Sequence, residues 1–515
     1  MCVSSAAGVC SSSVEQKIYV ELNETVPCVR LLNATHQIGC QSSMSGDTGV
    51  LHVLETQSDL DWILSSGPHP PYMVIMETAF FNRSVMMKMK NSSRVSGVAV
   101  IVSKTGLAQN FSPHTTCPNQ NTGVYSESYG SELANCNVTV WNPLGNGLSY
   151  EDFSFPVFAL KDENQTQVIR KCYEDHNQRV NGSAPQYPLC AMQLFSHMHA
   201  VTDTVTCMRL TFVSLPPSEV LCDPLSDFNV WTSTRPLNSS AKGHAANESV
   251  VIAAARLDGR SFFWEQAPAA EGTVSGIITL LAAIQALYPV TQEAPPPRNI
   301  FFTFFQGEAF DYIGSSKMVY DMEKNDFVID LKNVHSILEI GQVCLFISFY
   351  CDIYFYCYYV QKNNSWFRSL LPPEVSKKGV NSPGPPQFYI GLGPRIHGPV
   401  HSVTRFVQYI LANLTGTVTN LTESQCQNPS ELSTENKDLF SYFWVSGPAS
   451  VNSTGEPFCV RASVRLSEAV SPAFELLEYG SRNYSTWTES RWKSIRARIF
   501  LVASRELEVM QHRWS

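Results

Sequence analysis

Charge is what this sequence has least of. Only 16% of its 515 residues are Asp, Glu, Lys or Arg, and the net charge is -9. That net charge, with no basic tract in the chain, argues against nucleic acid as the main partner. No G-x-S-x-G elbow occurs, so the sequence offers no nucleophilic serine of that kind. No pair of C-x-x-C motifs occurs, which argues against a zinc ribbon. His397 and His401 have the i,i+4 spacing of a zinc helix, but no acid lies between them as H-E-x-x-H requires, and no metal site is expected there. Met1–Ser13 lacks the basic start and apolar core of a secretory leader and reads as truncated or atypical over residues 1–15. Val509–Ser515 is a polar, atypical tail, and no membrane-crossing helix follows it.

Glycosylation acceptors are abundant instead. Asn-x-Ser/Thr begins at Asn23, Asn33, Asn82, Asn91, Asn110, Asn137, Asn164, Asn181, Asn238, Asn247, Asn363, Asn413, Asn420, Asn452 and Asn483. One sequon means little; this density on a chain so poor in charge predicts a lumenal or extracellular surface kept soluble by sugar. The 15 cysteines fit an oxidising compartment. Ten of them fall into close sequential pairs, Cys28–Cys40, Cys117–Cys136, Cys172–Cys190, Cys207–Cys222 and Cys426–Cys459, and local disulfides are expected between them, although spacing alone does not fix the connectivity.

A length of 515 residues suggests about two to four domains. Residues 17–225 are rich in Pro, Asn, Ser and short apolar runs such as Tyr72–Met76, Gly97–Val102 and Phe155–Leu160, and predict a strand-rich lobe. Within it, Trp141–Tyr150 carries two glycines and apolar residues; a mobile lid and an ordinary turn-rich connection are both open readings. Near residue 240 the character changes. Ser249–Arg256 (SVVIAAAR) reads as a buried strand, Gly272–Tyr288 as a helix, and Asn299–Phe305 (NIFFTFF) as a strand buried on both faces. Strand, helix and strand make a βαβ unit with a right-handed crossover. Asp258 and Glu308 then lie on the same edge, at the carboxyl ends of the two strands, where open α/β sheets place ligand sites, and Asp311 follows Glu308 closely. Gly314–Ser316 reads as the entry of a helix.

Other stretches carry expectations of their own. Cys344–Val360 (CLFISFYCDIYFYCYYV) is a dense aromatic run with Asp352 in its middle. A membrane span, a buried strand pair and a segment foreign to the fold are its three readings, the last being expected. His401–Leu414 has helical spacing. His197 and His199 project to one face of a strand, where a structural role is expected because no acid cluster lies nearby. Trp487–Glu508 reads as an amphipathic helix, either packed on the body or forming a stem toward a membrane.

Several long stretches together resemble the nicastrin family, the large glycoprotein subunits of γ-secretase. They are FFQGEAFDYIGSSKMVYDME at 304–323, CVRLLNATHQIGCQSS at 28–43, LGNGLSYEDFSFP at 144–156, PLCAMQLFSHMHAV at 188–201, LANLTGTV at 411–418 and YSTWTESRWKSIRARIFL at 484–501. The resemblance implies an α/β (α+β overall), bilobed ectodomain. Residues 16–240 are then a small lobe with its lid near 141–150, and 241–343 the first part of a large lobe similar to zinc aminopeptidases and the transferrin-receptor ectodomain. Residues 344–360 stand where the family has a much longer run, and 361–508 complete the large lobe and a membrane-proximal stem. The aminopeptidases of that superfamily follow their first strand with His-x-Asp and a later one with Glu-Glu, whereas this chain has Arg256-Leu257-Asp258 and Glu308-Ala309. An always-charged guanidinium does not ligate zinc, so no metal, no cofactor and no peptidase chemistry are expected.

What the resemblance implies instead is a non-catalytic receptor, gatekeeper and assembly subunit of an intramembrane aspartyl protease. Its partners are presenilin and the small membrane subunits, and its substrates are short stubs of type I membrane proteins, as in Notch and amyloid precursor protein processing. The family works on the lumenal side of the endoplasmic reticulum and Golgi and at the plasma membrane. Glu308 and Tyr312 match the family's positions at the vestigial pocket, and Trp141 falls in its lid. Glu308 either pairs with a substrate amine or holds the lobe together by accepting buried hydrogen bonds. A secreted or non-assembling isoform and an active metallo-aminopeptidase are the competing functions.

Overall fold

The computed structural model describes residues 18–32, 36–102, 111, 146–198, 201–213, 220–238, 249–259, 261–264, 273–310, 312–345, 356–360, 402–429, 438–445, 457–470 and 487–503. Two large sheets organise them, each with a core on both faces, and the bilobed α/β expectation holds.

The first sheet has eight strands, in the order Val20–Leu22, Trp492–Val502, Leu189–Met198, Asp47–Leu54, Tyr72–Glu77, Val95–Ile101, Val157–Leu160 and Thr25–Pro27. Its central four run parallel. Val95–Ile101 (VSGVAVI) is buried along its whole length, as a strand covered on both sides must be. Helices Gln57–Ser65, Arg83–Lys90 and Glu163–His176 connect these strands. Each begins at a side-chain cap on Thr56, Asn82 or Asp162, which accepts one of the first free helix N–H groups.

Within the expected helix Trp487–Glu508, the described residues 487–503 form strands and not a helix. Trp492–Val502 is a strand that runs antiparallel to Leu189–Met198 along the full length of that strand. The reason is the alternation Arg496, Ala497, Arg498, Ile499, a period of two rather than 3.6. Ala497 and Ile499 enter the core on one face of the sheet, while Val502 enters the core on the other. Arg496 pairs with Glu21, and the Arg498 guanidinium lies 3.7 Å from the Tyr19 ring centroid. The chain therefore returns to the first lobe at its end. Ser226–Ser233, before residue 240, already pairs within the second sheet.

That second sheet has the order Tyr356–Val360, Val334–Leu345, Val250–Arg256, Asn299–Phe305, Ser226–Ser233 and Arg465–Val470. Val250–Arg256 pairs parallel with both its neighbours, which confirms the βαβ unit. The crossover helix Ser275–Glu293 is apolar and long enough to cross a membrane by composition, yet it buries Ile277, Leu280 and Ile284 against Phe302, Phe304 and Leu411. Phe301 and Phe305 face the other way, onto Met318, Val319 and Met322 of helix Ile313–Glu323. Each such side chain contributes about 1.5–3 kcal/mol by leaving water. The described ends of the aromatic run, up to Leu345 and from Tyr356, pair antiparallel at the sheet edge with Cys344 opposite Cys357. This corrects the expectation that the run is foreign to the fold; residues 346–355 lie outside the described residues. Helix Ser402–Thr415 forms as its spacing predicts.

Disulfides form at Cys28–Cys40, Cys172–Cys190, Cys207–Cys222 and Cys426–Cys459. Cys117 and Cys136 lie outside the described residues. Of the sequon asparagines within them, Asn23, Asn91, Asn164, Asn181, Asn238, Asn413 and Asn420 are exposed, and Asn82 is half-buried.

Candidate functional site

The site grows from one sheet edge. Val250–Arg256 continues as Leu257, whose N–H donates to Phe305 O at 2.7 Å and keeps the next residue level with the end of Asn299–Phe305. That next residue is Asp258, with no solvent exposure. Its Oδ1 accepts from Glu308 N–H at 2.8 Å and its Oδ2 from Ala309 N–H at 2.9 Å. One carboxylate thus pins the turn that follows the neighbouring strand. Gly307 begins that turn at φ 78°, in the left-handed region glycine adopts without strain. Tyr312 ends it at φ 60°, strained for a side chain of that size, and is itself buried.

Glu308 is buried and sits at the N-terminus of helix Ile313–Glu323. Ser315 N–H donates to its Oε1 at 2.9 Å and Ser315 Oγ–H to its Oε2 at 3.0 Å. It therefore satisfies one of the orphan helix donors at the start of that helix. Behind it runs a buried polar network. Gln306 Nε2 donates to Asp227 Oδ2 at 3.1 Å and to Thr404 Oγ1 at 3.2 Å. Gln306 N–H donates to Asn229 Oδ1 at 3.0 Å, and Asn229 Nδ2 donates to Gly314 O at 2.9 Å. Phe310 and Ile313, flanking the turn, pack on Leu31, Ile38, Leu225 and Trp487, so the site rests against the first lobe. Phe262 and Phe263 extend the same junction onto Phe81, Phe111 and Phe153.

Three buried acids share this edge: Asp258, Glu308 and Glu339, the last on Val334–Leu345 opposite Ala254. Burial pushes the Glu308 carboxyl well above its ordinary value; the charges of Glu339 and Asp258 push the same way, and the Ser315 donors oppose them. Burial raises Asp258 to about 6, against the Ala309 N–H and the Arg256 charge. Burial raises Glu339 to about 7, opposed by Arg256. Glu339 Oε2 has no hydrogen-bond partner among the described residues.

These carboxyls hold a proton more tightly folded than unfolded. Their contribution to stability is complete below the ordinary values of 3.8 and 4.5 and is lost as pH rises through about 6 for Asp258 and about 7 for Glu339. His52, buried in the first lobe and lowered to about 4, acts in the opposite sense between that value and 6.5. The diagnostic quantity is therefore a difference between variants. The melting temperature of Glu339→Gln is expected to fall less than that of the wild type between about pH 5 and pH 7.5. Identical pH slopes in a thermal melt would show that Glu339 does not carry this burden.

The donor set does not fit the zinc pair of the aminopeptidases. Arg256, which the resemblance sets at a histidine position, is a fixed cation, Ala309, which it sets at a carboxylate position, has no donor atom, and both Asp258 oxygens already accept backbone N–H groups. Of the residues singled out in the sequence, the fold brings Asp258, Glu308 and Tyr312 together. His197 is in the first lobe, its Nδ1 3.1 Å from Ser42 O. Trp141, His199, Asp311, His397 and His401 lie outside the described residues. Sequence reading missed Glu339, although an acid inside the apolar run SILEIGQV was a signal, and it missed Asp227, Asn229 and Gln306.

Two family models match the chain, one described as the nicastrin small lobe over residues 27–200 and one as the nicastrin large lobe over residues 249–371. Human nicastrin is 44% identical over 653 aligned positions, covering 98% of this chain and 91% of that protein. Rattus norvegicus nicastrin is likewise 44% identical, with the same coverage of each chain. The 653 aligned positions exceed the 515 residues here, so the human relative carries segments with no counterpart in this chain. Among solved structures, the crystal structure of the γ-secretase component nicastrin matches 94% of this chain and 100% of its own, with a TM-score of 0.60 at 17% identity, and has the same fold.

Proposed function

Starting from the fact that the chain belongs to the nicastrin family, we propose that it is a non-catalytic subunit of the γ-secretase complex, an assembly and substrate-gating ectodomain. Presenilin and the small membrane subunits are its partners. Its substrates are type I membrane protein stubs with short ectodomains, such as those from Notch and the amyloid precursor protein. It works on the lumenal or extracellular side of the secretory pathway and plasma membrane.

The observation that carries the non-catalytic part is the use made of the two acids at the strand ends. Asp258 and Glu308 hold the turn and the following helix in place by accepting N–H and O–H groups of the protein itself. Such an edge is a scaffold rather than a set of open ligand positions. Selection is then steric: the body of the ectodomain stands over the entry and long substrate ectodomains do not fit beneath it. Direct pairing of Glu308 with a substrate amine is the alternative, and Tyr312 beside it belongs to whichever role Glu308 has.

A second reading, a secreted isoform that does not assemble, is favoured by the relatives' extra segments. One experiment separates the two. The chain is expressed in cells lacking the endogenous subunit, and presenilin co-purification and stub cleavage are measured. Co-purification with cleavage of short but not long ectodomains supports the gating subunit. Chain in the medium with complex sugars, and no presenilin bound, supports the secreted isoform. Stoichiometric zinc in the pure protein would reopen peptidase chemistry.

A further inference from the structure

Away from this edge, a cavity of about 530 Å³ opens beside helix Glu423–Gln427. That volume lies in the range of small-ligand sites. Tyr409, Phe440, Tyr442 and Trp444 line it, together with Gln427, whose Nε2 donates one hydrogen bond to Glu423 Oε1 at 3.0 Å, and Arg465, whose charge faces Asp438. The rings of Phe440, Tyr442 and Trp444 are half-buried, and Tyr409 is 44% exposed, so aromatic surface stands open to solvent. The Arg461 guanidinium lies over the Phe440 ring, 4.7 Å from its centroid.

Open rings beside amide and guanidinium donors suit one ligand chemistry in particular. A pyranose lays its C–H face on an aromatic ring, and its hydroxyls and acetamido oxygens accept hydrogen bonds from groups such as Arg and Gln. A sugar source is built into the fold. Asn420 is exposed and begins the sequon Asn420-Leu421-Thr422. The residue before it, Thr419, is paired with Cys459, which on its other side is paired with Trp444. Two strand spacings, roughly 10 Å, therefore separate the backbones of Thr419 and Trp444, whose ring lines the cavity. The Cys426–Cys459 disulfide fixes the arrangement, since Cys426 itself lines the cavity.

We propose that this aromatic cavity is an intramolecular carbohydrate site that holds the first sugars of the N-glycan on Asn420. The tether gives the sugar an effective concentration in the millimolar range, so weak stacking suffices to fill the site. Asn164 is the internal comparison: it too is exposed, but it lies on helix Glu163–His176 of the first lobe, whereas Asn413 sits one helical turn beyond the cavity residue Tyr409.

The test uses the full chain, made in cells whose glycans are kept in the high-mannose form, and endoglycosidase H. Release from each asparagine is followed by site-resolved mass spectrometry, native and after denaturation. The native Asn420 glycan is expected to be released at least tenfold more slowly than the Asn164 glycan, with the gap closing on denaturation. Trp444→Ala is expected to remove the protection. If that variant is not secreted, Arg465→Gln, which leaves the rings in place, is expected to reduce it severalfold. Equal native rates at the two sites overturn the proposal. So does an Asn420 without sugar, or protection that neither variant changes.

Discussion

Replacing Asp258 by alanine is expected to lower the melting temperature of the purified chain by on the order of 10 °C and to block maturation of its sugars. The carboxylate accepts two backbone N–H groups at 2.8 and 2.9 Å, from Glu308 and Ala309, and has no solvent exposure. Alanine leaves both donors buried without an acceptor, at about 1–3 kcal/mol each. In a lobe of this size each kcal/mol shifts the melting temperature by roughly 2–4 °C. Asp258→Asn retains one acceptor and no longer buries a carboxyl, so its loss is expected to be clearly smaller. An alanine variant that melts with the wild type would mean that the turn is held by something other than Asp258.

Gly314→Ala is expected to be at least as damaging, for a reason of space rather than hydrogen bonding. A Cβ at this position would lie 2.2 Å from Asn229 Oδ1 and 2.4 Å from Gln306 O. Neither neighbour is free to yield, because Asn229 bridges Gln306 N–H and Gly314 O. Overpacking of this kind costs about 1–3 kcal/mol or more, and here it also breaks buried hydrogen bonds. Adding Asn229→Ala is not expected to rescue the variant, since the Gln306 carbonyl is backbone. Gly182 is the control. It has φ 79°, but a Cβ there would meet nothing within 4 Å, so Gly182→Ala is expected to lose only about 1 kcal/mol from backbone strain. Thermal melts of the two variants side by side separate crowding from strain; equal losses would contradict the packing argument.

The parts of this site that are legible in the sequence are the local ones. NIFFTFF and SVVIAAAR read as buried strands, and a helix between them forces the parallel pairing that sets Asp258 beside Glu308. The network behind Glu308 is not legible, because Asp227, Gln306 and Thr404 meet from 79, 98 and 177 residues apart. Glu339 is visible only as an acid out of place in an apolar strand. Trp492–Val502 reads as helix when its apolar patch Ile499–Ala503 is weighed above the alternation before it. Only pairing with Leu189–Met198, some three hundred residues upstream, makes the period of two decisive.

Glu308 is, in this structure, a buried acceptor for the Ser315 N–H and Oγ–H groups at the start of helix Ile313–Glu323, and burial favours its neutral form. The most direct test compares Glu308→Gln with Glu308→Ala in cells lacking the endogenous subunit, measuring melting temperature, presenilin co-purification and stub cleavage together. Glutamine retains an oxygen for Ser315 N–H and matches the neutral acid in shape. It is expected to stay within about twofold of wild type in assembly and cleavage, at a cost under about 1 kcal/mol. Alanine orphans the Ser315 donors and is expected to lower all three readouts together. The contradicting result is a Glu308→Gln variant with wild-type melting and full presenilin co-purification that no longer cleaves stubs with a free amine. That outcome would place the charge of Glu308 on the substrate.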